Sequence, residues 1–231
     1  MILMTNRIET LSDFFDFLEE TSTEGKNHLF RGVRKCSYEL TPSIGRFKTN
    51  KKASFDKDSE RLTLKLFKQK AHEYLAGLAD DDLAILTVAQ HHGLPTRLLD
   101  WSKNPMVAAY FAVKDEFGRD EKPEDSKIYV YVPASKVNLS KTFDPFSIKS
   151  IKRFVPRNWN PRIIAQSGLF TIHPNPNKPW KSKLIREVVI ANDQRKEIKM
   201  ALNKLGVNHS TLFPDIDGIA EYIKWLRTSS F

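Results

Sequence analysis

A lone cysteine, Cys36, is all the thiol that this 231-residue chain carries. An internal disulfide is thereby excluded, and a reducing compartment fits. With no base beside it, Cys36 reads as a small half-buried side chain next to a strand more readily than as a nucleophile. Glycines are few, nine in all. None builds a Walker loop, a dinucleotide-binding fingerprint or a nucleophile elbow, and a kinase signature set is missing as well. No window of the chain has the apolar length needed to span a bilayer. Met1–Arg7 offers only a short apolar run with its charge on the wrong side for a signal peptide. The expectation is a cytoplasmic protein with no membrane partner. His91 and His92 are adjacent, so they point to different sides of a helix and cannot form the i, i+4 pair of a zinc site; no metal is expected.

The residues present describe a globular chain, 40% hydrophobic and 28% charged. They suffice for one domain over residues 1–231, with an N-terminal helix at about 10–21 and a core at about 28–226. The net charge of +9 is unevenly placed. Residues 1–125 carry 19 Lys and Arg against 21 Asp and Glu, whereas residues 126–231 carry 18 against 7. A basic C-terminal half suggests an anionic partner, either nucleic acid or an acidic protein, unless it is only a solvated face.

Hydrophobic spacing predicts a helix over 10–21, with Leu11, Phe14, Phe15 and Leu18 on one face, and a strand over 27–33. A loop with Pro42 and Gly45 covers about 39–53. A long helix follows over about 55–78, with Leu62, Leu66, Phe67, Ala71, Tyr74 and Leu78 inward. A further helix opens at Asp80–Asp82 and stops at Gly93. Asn104-Pro105 starts a helix to about Phe117 that is apolar nearly all round and therefore buried. Strands are expected over 127–133, 168–172 and 184–191, and helices over 194–205 and 215–227. Strands and helices mixed without regular alternation indicate an α+β fold with a helical N-terminal half.

The stretch Gln90-His91-His92-Gly93-Leu94-Pro95-Thr96-Arg97-Leu98-Leu99-Asp100-Trp101-Ser102 is expected to organise the domain. Gly93 and Pro95 shape a turn that delivers Thr96 and Arg97 to a fixed place. A histidine in the last turn before Gly93 is helped toward its protonated form by the helix C-terminus. Arg97 is expected to be partly buried, and a buried arginine needs a carboxylate or a phosphate. It either binds a ligand or belongs to an Arg97–Asp100 or Arg31–Asp100 pair that fixes the fold. Trp101 either stacks on a ring or lies in the core.

Leu29-Phe30-Arg31-Gly32, the Gln90–Ser102 stretch and Asn104-Pro105-Met106-Val107-Ala108-Ala109-Tyr110-Phe111-Ala112 together resemble the FRG domain family, named for its Phe-Arg-Gly motif. Gln166–Thr171 and Leu212–Gly218 resemble later motifs of the same family, so the likeness runs from about residue 28 to 226. The family occurs in bacteria and phages. More distantly, the layout resembles ADP-ribosyltransferases. That resemblance implies a mixed or split β-sheet flanked by helices, NAD as cofactor, and a toxin or phage-defence activity on protein or nucleic acid. It implies catalytic roles for Arg31, Thr96 and Asp217, and cofactor contacts from Arg31, Gly32, Gln90, His91, Arg97, Trp101 and Gln166. The late acid of that layout falls to Glu187 or Asp217, neither in a Glu-x-Glu setting; Asp215 and Asp217 also serve as first-turn acids of the last helix. The competing expectation is a non-catalytic module. Its nucleic-acid form would use Lys149, Lys152, Arg153, Arg157, Arg162, Lys178, Lys181 and Lys183, interleaved with Phe154, Trp159, Phe170 and Trp180. Its other form is a protein-interaction module.

Overall fold

The computed structural model describes residues 5–23, 27–46, 56–75, 77–78, 81–133, 143–156 and 160–228. Among them, seven strands form one sheet: β1 (Arg7–Ile8), β2 (Leu29–Val33), β3 (Leu98–Ser102), β4 (Ser126–Tyr131), β5 (Lys152–Phe154), β6 (Gly168–Ile172) and β7 (Ile185–Ile190). The order across the sheet is β1-β7-β4-β2-β3-β6-β5. Only β1 and β7 run parallel; every other neighbouring pair is antiparallel. The helices are α1 (Leu11–Thr23), α2 (Ser43–Arg46), α3 (Lys57–Lys70), α4 (Asp82–His91), α5 (Pro105–Val113), α6 (Pro161–Ala165), α7 (Arg195–Lys204), α8 (His209–Leu212) and α9 (Ile216–Thr228).

The sheet is two half-sheets joined at one point. β2 pairs with β4 through five residues, and β3 with β6 through five. Between β2 and β3 only Phe30 and Ser102 pair. From there the strands part toward the C-terminal end of β2 and the N-terminal end of β3. Side chains alternate across a strand, so Leu98, Asp100 and Ser102 share the face that carries Phe30. Two separate cores cover that face. Phe30, Ile128, Val130, Val188 and Ile190 pack under α1, α5 and α7. Leu98, Phe170, Ile172 and Phe154 pack under α3 and α4. Asp100 lies between the two layers and is exposed. On the other face Leu29, Leu99, Trp101, Tyr129 and Leu169 form a third core, with Leu40 and Trp180 over it.

α5 lies at the centre of the first layer. Its Asn104 side chain accepts from the Met106 amide at 2.9 Å, and Pro105 fills the first turn. The residues from Val107 to Val113 are buried apart from Phe111, as an all-round apolar helix requires. It ends at Val113, short of Phe117, where side chains of α7 take carbonyls at and just beyond its end. Arg195 donates to Ala112 O and Asp115 O, and Lys199 to Lys114 O. α5 also lies tight against β2, since a Cβ on Gly32 would sit 1.8 Å from Ala108 O.

α3 is rotated away from its apolar spacing. Leu62, Leu66 and Tyr74, expected inward, are exposed, whereas Glu60 and Leu64 are buried. The reason is an ion pair: Glu60 must face inward to reach Arg97, and the i, i+4 partner Leu64 turns in with it. The long helix expected over 55–78 is α3 followed by a 3₁₀ turn at His72–Leu75. Phe55 and part of the 39–53 loop lie outside the described residues.

Candidate functional site

A chain of hydrogen bonds crosses the gap between the half-sheets. Thr96 Oγ1 accepts from the Leu98 amide at 3.1 Å, which leaves its own proton for Gln90 Oε1. That donation fixes the Gln90 amide. Its Nε2 therefore faces Asp100 and donates to Oδ1 at 2.9 Å. The other carboxylate oxygen, Oδ2, accepts from Arg31 Nη1 at 2.6 Å, and the same nitrogen donates to Asp100 O at 2.7 Å. Arg31 thus bonds to a β3 backbone carbonyl where β2 has diverged from β3. Its remaining guanidinium nitrogens make no hydrogen bond among the described residues.

This is not a sealed pair. The Arg31 side chain keeps 15% of its exposure and Asp100 keeps 61%. Protein crowds around Asp100 from several elements, yet solvent reaches its carboxylate; an acid so placed sits in an open cleft. The surrounding protein disfavours its charge, but the charge and hydrogen bond of Arg31, a backbone hydrogen bond and the charge of Arg46 together hold Asp100 below the usual carboxylate range. Two further arginines are close enough to feel its charge. Arg46, at the end of α2, is exposed, and partial desolvation and the like charge of Arg31 draw its pKa down. Arg162, on α6, is half-buried, with its guanidinium 4.0 Å over the Phe213 ring. Burial lowers its pKa while Asp215 and Asp100 oppose that shift. One cation, Arg31, bonds to the carboxylate, and two more, Arg46 and Arg162, act on it through charge alone.

The other expected site residues are placed as follows. Arg97 is fully enclosed. It binds Glu60 in a two-toothed pair at 2.8 and 2.7 Å, donates to Pro145 O and His173 O, and lies 4.9 Å over the Phe146 ring. It has no face left for a ligand, and its partner is Glu60 rather than Asp100. Trp101 is buried on the opposite face of the sheet, its Nε1 donating to Thr171 Oγ1 at 3.0 Å. It cannot stack on a ring in the cleft. Gly32 meets α5 and not a cofactor. Thr96 is buried and orients Gln90. Gln166 is committed to Leu212 O, and its own carbonyl accepts from Ser102 Oγ. His91 is half-buried at the end of α4, and burial followed by the charge of Arg162 lowers its pKa; this reverses the protonation expected from the helix terminus alone. Asp217 is exposed in the first turn of α9 and contacts none of these groups among the described residues. Asp215 is nearer in effect, since its charge reaches both Arg162 and His91. Glu187 pairs with Lys127 at 3.2 Å, away from the cleft.

Asp100 and Arg46 as site groups escaped the sequence reading. Recognition of β3 as a strand would have flagged an aspartate in the middle of an otherwise buried segment. Arg46 lies in a stretch that reads as loop and gives no such signal. Among the described residues no three His, Cys, Asp or Glu side chains converge as metal ligands. No described helix is long and apolar enough to cross a membrane.

Residues 26–121 match the FRG domain family, and the chain carries an FRG domain over that span. The span contains β2, α2, α4 and β3, and so Arg31, Arg46, Gln90 and Asp100; Arg162 comes from beyond it. No curated protein and no solved structure matches the chain.

Proposed function

We propose that the cleft between the half-sheets binds a phosphorylated nucleotide, NAD foremost, and that the protein is an ADP-ribosyltransferase-like enzyme. One observation carries the reading: a solvent-exposed Asp100 carboxylate bonded to Arg31, within reach of the charges of Arg46 and Arg162. The surplus of guanidinium charge suits a diphosphate, which arginine recognises through paired donors. Ring stacking by Trp101 forms no part of the fit, because that side chain is buried. NAD would supply a cleavable bond between ribose and nicotinamide. Arg31, turning from Asp100 to a phosphate, would free a carboxylate already aimed by Gln90. Asp100 would then face the positive charge that develops on the ribose, a preorganised form of electrostatic stabilisation. His91, its pKa lowered, is available to take the proton of an acceptor. The acceptor, protein or nucleic acid, would be drawn by the basic C-terminal half, as suits a toxin or phage-defence effector.

Calorimetric titration of the full chain with NAD and with ADP-ribose tests binding, and chromatographic detection of nicotinamide tests turnover. Absence of both binding and release removes the reading.

Simple nucleic-acid binding is favoured by one observation, the exposure of Lys149, Lys178, Lys181 and Lys183. It would act through phosphates alone. Phe154 and Phe170 are buried and stack on each other at 5.7 Å, and Trp180 packs on Trp101 and Tyr131. Arg157 and Trp159 lie outside the described residues. Binding to DNA or RNA that does not weaken with salt would exclude this form.

A further inference from the structure

α9 shows its apolar stripe to solvent. Ile216, Ile219 and Ile223 are 81%, 50% and 53% exposed. Of the helix's thirteen residues only Gly218 is buried. Gly218 lies so close to Phe213 that a Cβ would fall 1.9 Å from its carbonyl oxygen. Further along, Trp225 lies beneath the Lys199 ammonium, 5.0 Å from the ring centre. Gly218 and Trp225 anchor one side of the helix. The other side carries Ile216, Ile219, Ile223 and the half-buried Leu226 at spacings of three, four and three. That is the seam of a two-helix contact. A contiguous apolar stripe on a soluble surface calls for an occupant.

We propose that the occupant is a second copy of this chain, with the two α9 helices antiparallel about a two-fold axis. The residues argue for that partner and that direction. Asp215 and Asp217 stand at the start of the seam; toward its end Lys224 pairs with Glu221 of its own helix at 3.3 Å, and Arg227 is the cation without a partner among the described residues. An antiparallel pair sets the acidic end of each helix against the basic end of the other; a parallel pair sets like against like. The helix dipoles favour the same direction. The seam is also self-matching, since Ile219 meets the partner's Ile223, and Ile216 meets the partner's Leu226. Two copies of a chain of charge +9 repel through their basic surfaces. Around α9 acids and bases nearly balance, so two copies can approach there. Closed two-fold dimers are the commonest soluble assemblies.

Light scattering behind size exclusion, on the full chain up to roughly 100 µM, a range that reveals micromolar dimers, measures the outcome. The expected result is a concentration-dependent species of twice the 26.7 kDa chain mass. Ile219→Lys combined with Ile223→Lys should return it to the monomer without changing the circular dichroism spectrum. Asp217→Lys and Arg227→Asp should each raise the dimer dissociation constant at least tenfold, and the two together should largely restore it. A wild-type chain that stays monomeric throughout overturns the proposal. So does a dimer indifferent to the isoleucine substitutions, or an α9 that gains hydrogen-exchange protection only when some other molecule is added.

Discussion

Glu60→Gln removes one charge from the most enclosed ion pair among the described residues. Arg97 has no exposed surface and the Glu60 side chain only 4%. The variant keeps the shape of the side chain but leaves the guanidinium facing a neutral amide, with Pro145 O and His173 O as its remaining partners. Breaking a buried pair by neutralising one member costs about 3–5 kcal/mol. For a chain of this size that lowers Tm by roughly 6–20 °C, at about 2–4 °C per kcal/mol. The double variant Glu60→Leu, Arg97→Met removes both charges. It loses the arginine's bonds to two carbonyls, a cost of about 1–3 kcal/mol in all, but strands no ion. The double variant should therefore be more stable than Glu60→Gln alone. Urea denaturation followed by circular dichroism reads both. A loss below about 1 kcal/mol in Glu60→Gln would contradict a sealed pair, because it would mean that water reaches Arg97. A double variant whose loss equals the sum of the single losses would refute it equally, since coupled charges cannot be additive.

Gly32→Ala should destabilise by at least about 1–3 kcal/mol, because its new methyl meets a helix backbone that cannot yield; Gly118→Ala, whose nearest neighbour is the Glu121 carboxylate at 3.7 Å, should be nearly silent in the same melt. His173 imposes a pH dependence: burial, then the charges of Arg31 and Arg97, push its pKa down to about 3. Its Nε2 lies 2.9 Å from Thr171 Oγ1. The unfolded chain takes up this proton below about pH 6.5 while the folded chain does not, so stability falls as pH drops from there toward 3. Between pH 6.5 and 5, before most carboxylates titrate, the urea midpoint should fall in the wild type and be flatter in His173→Gln; parallel slopes would count against a buried neutral His173. The Asp100 pair adds a smaller effect of the same sign, present above the ordinary aspartate range and lost as pH falls through its lowered pKa. At 61% exposure that effect should be screened away by 0.5 M salt, roughly.

Much of the fold was legible in the residues. Asn104-Pro105 fixed the start of α5, Gly93 the end of α4 with a φ of +87°, and 168–172 is β6 as spaced. The expected mixed sheet is there too, although no spacing in the sequence reveals that β2 and β3 pair only at Phe30 and Ser102. β3 itself was hidden because it is buried on both faces; Leu98-Leu99-Asp100-Trp101 shows no alternation. The rotation of α3 was hidden because apolar spacing is blind to a buried carboxylate such as Glu60. At the site, Arg31 and the Gln90–Ser102 stretch were legible as a unit. The division of labour within it was not. Which arginine is sealed and which is open depends on Glu60, thirty-seven residues from Arg97, and on the divergence of two strands. Trp101 was ambiguous for a simpler reason: the face of a strand to which a residue points cannot be known before the strand is recognised.

The proposed anion-binding cleft lies in the gap between β2 and β3 and is built on Arg31 and Asp100. Calorimetric titration of ADP-ribose and NAD into the wild-type chain, Arg31→Gln and Lys178→Gln tests it most directly. The expected result is binding to the wild type, loss of at least tenfold in affinity in Arg31→Gln with the fold intact by circular dichroism, and no change in Lys178→Gln, a surface lysine outside the cleft. Equal affinity in all three proteins, or none in the wild type, would contradict it.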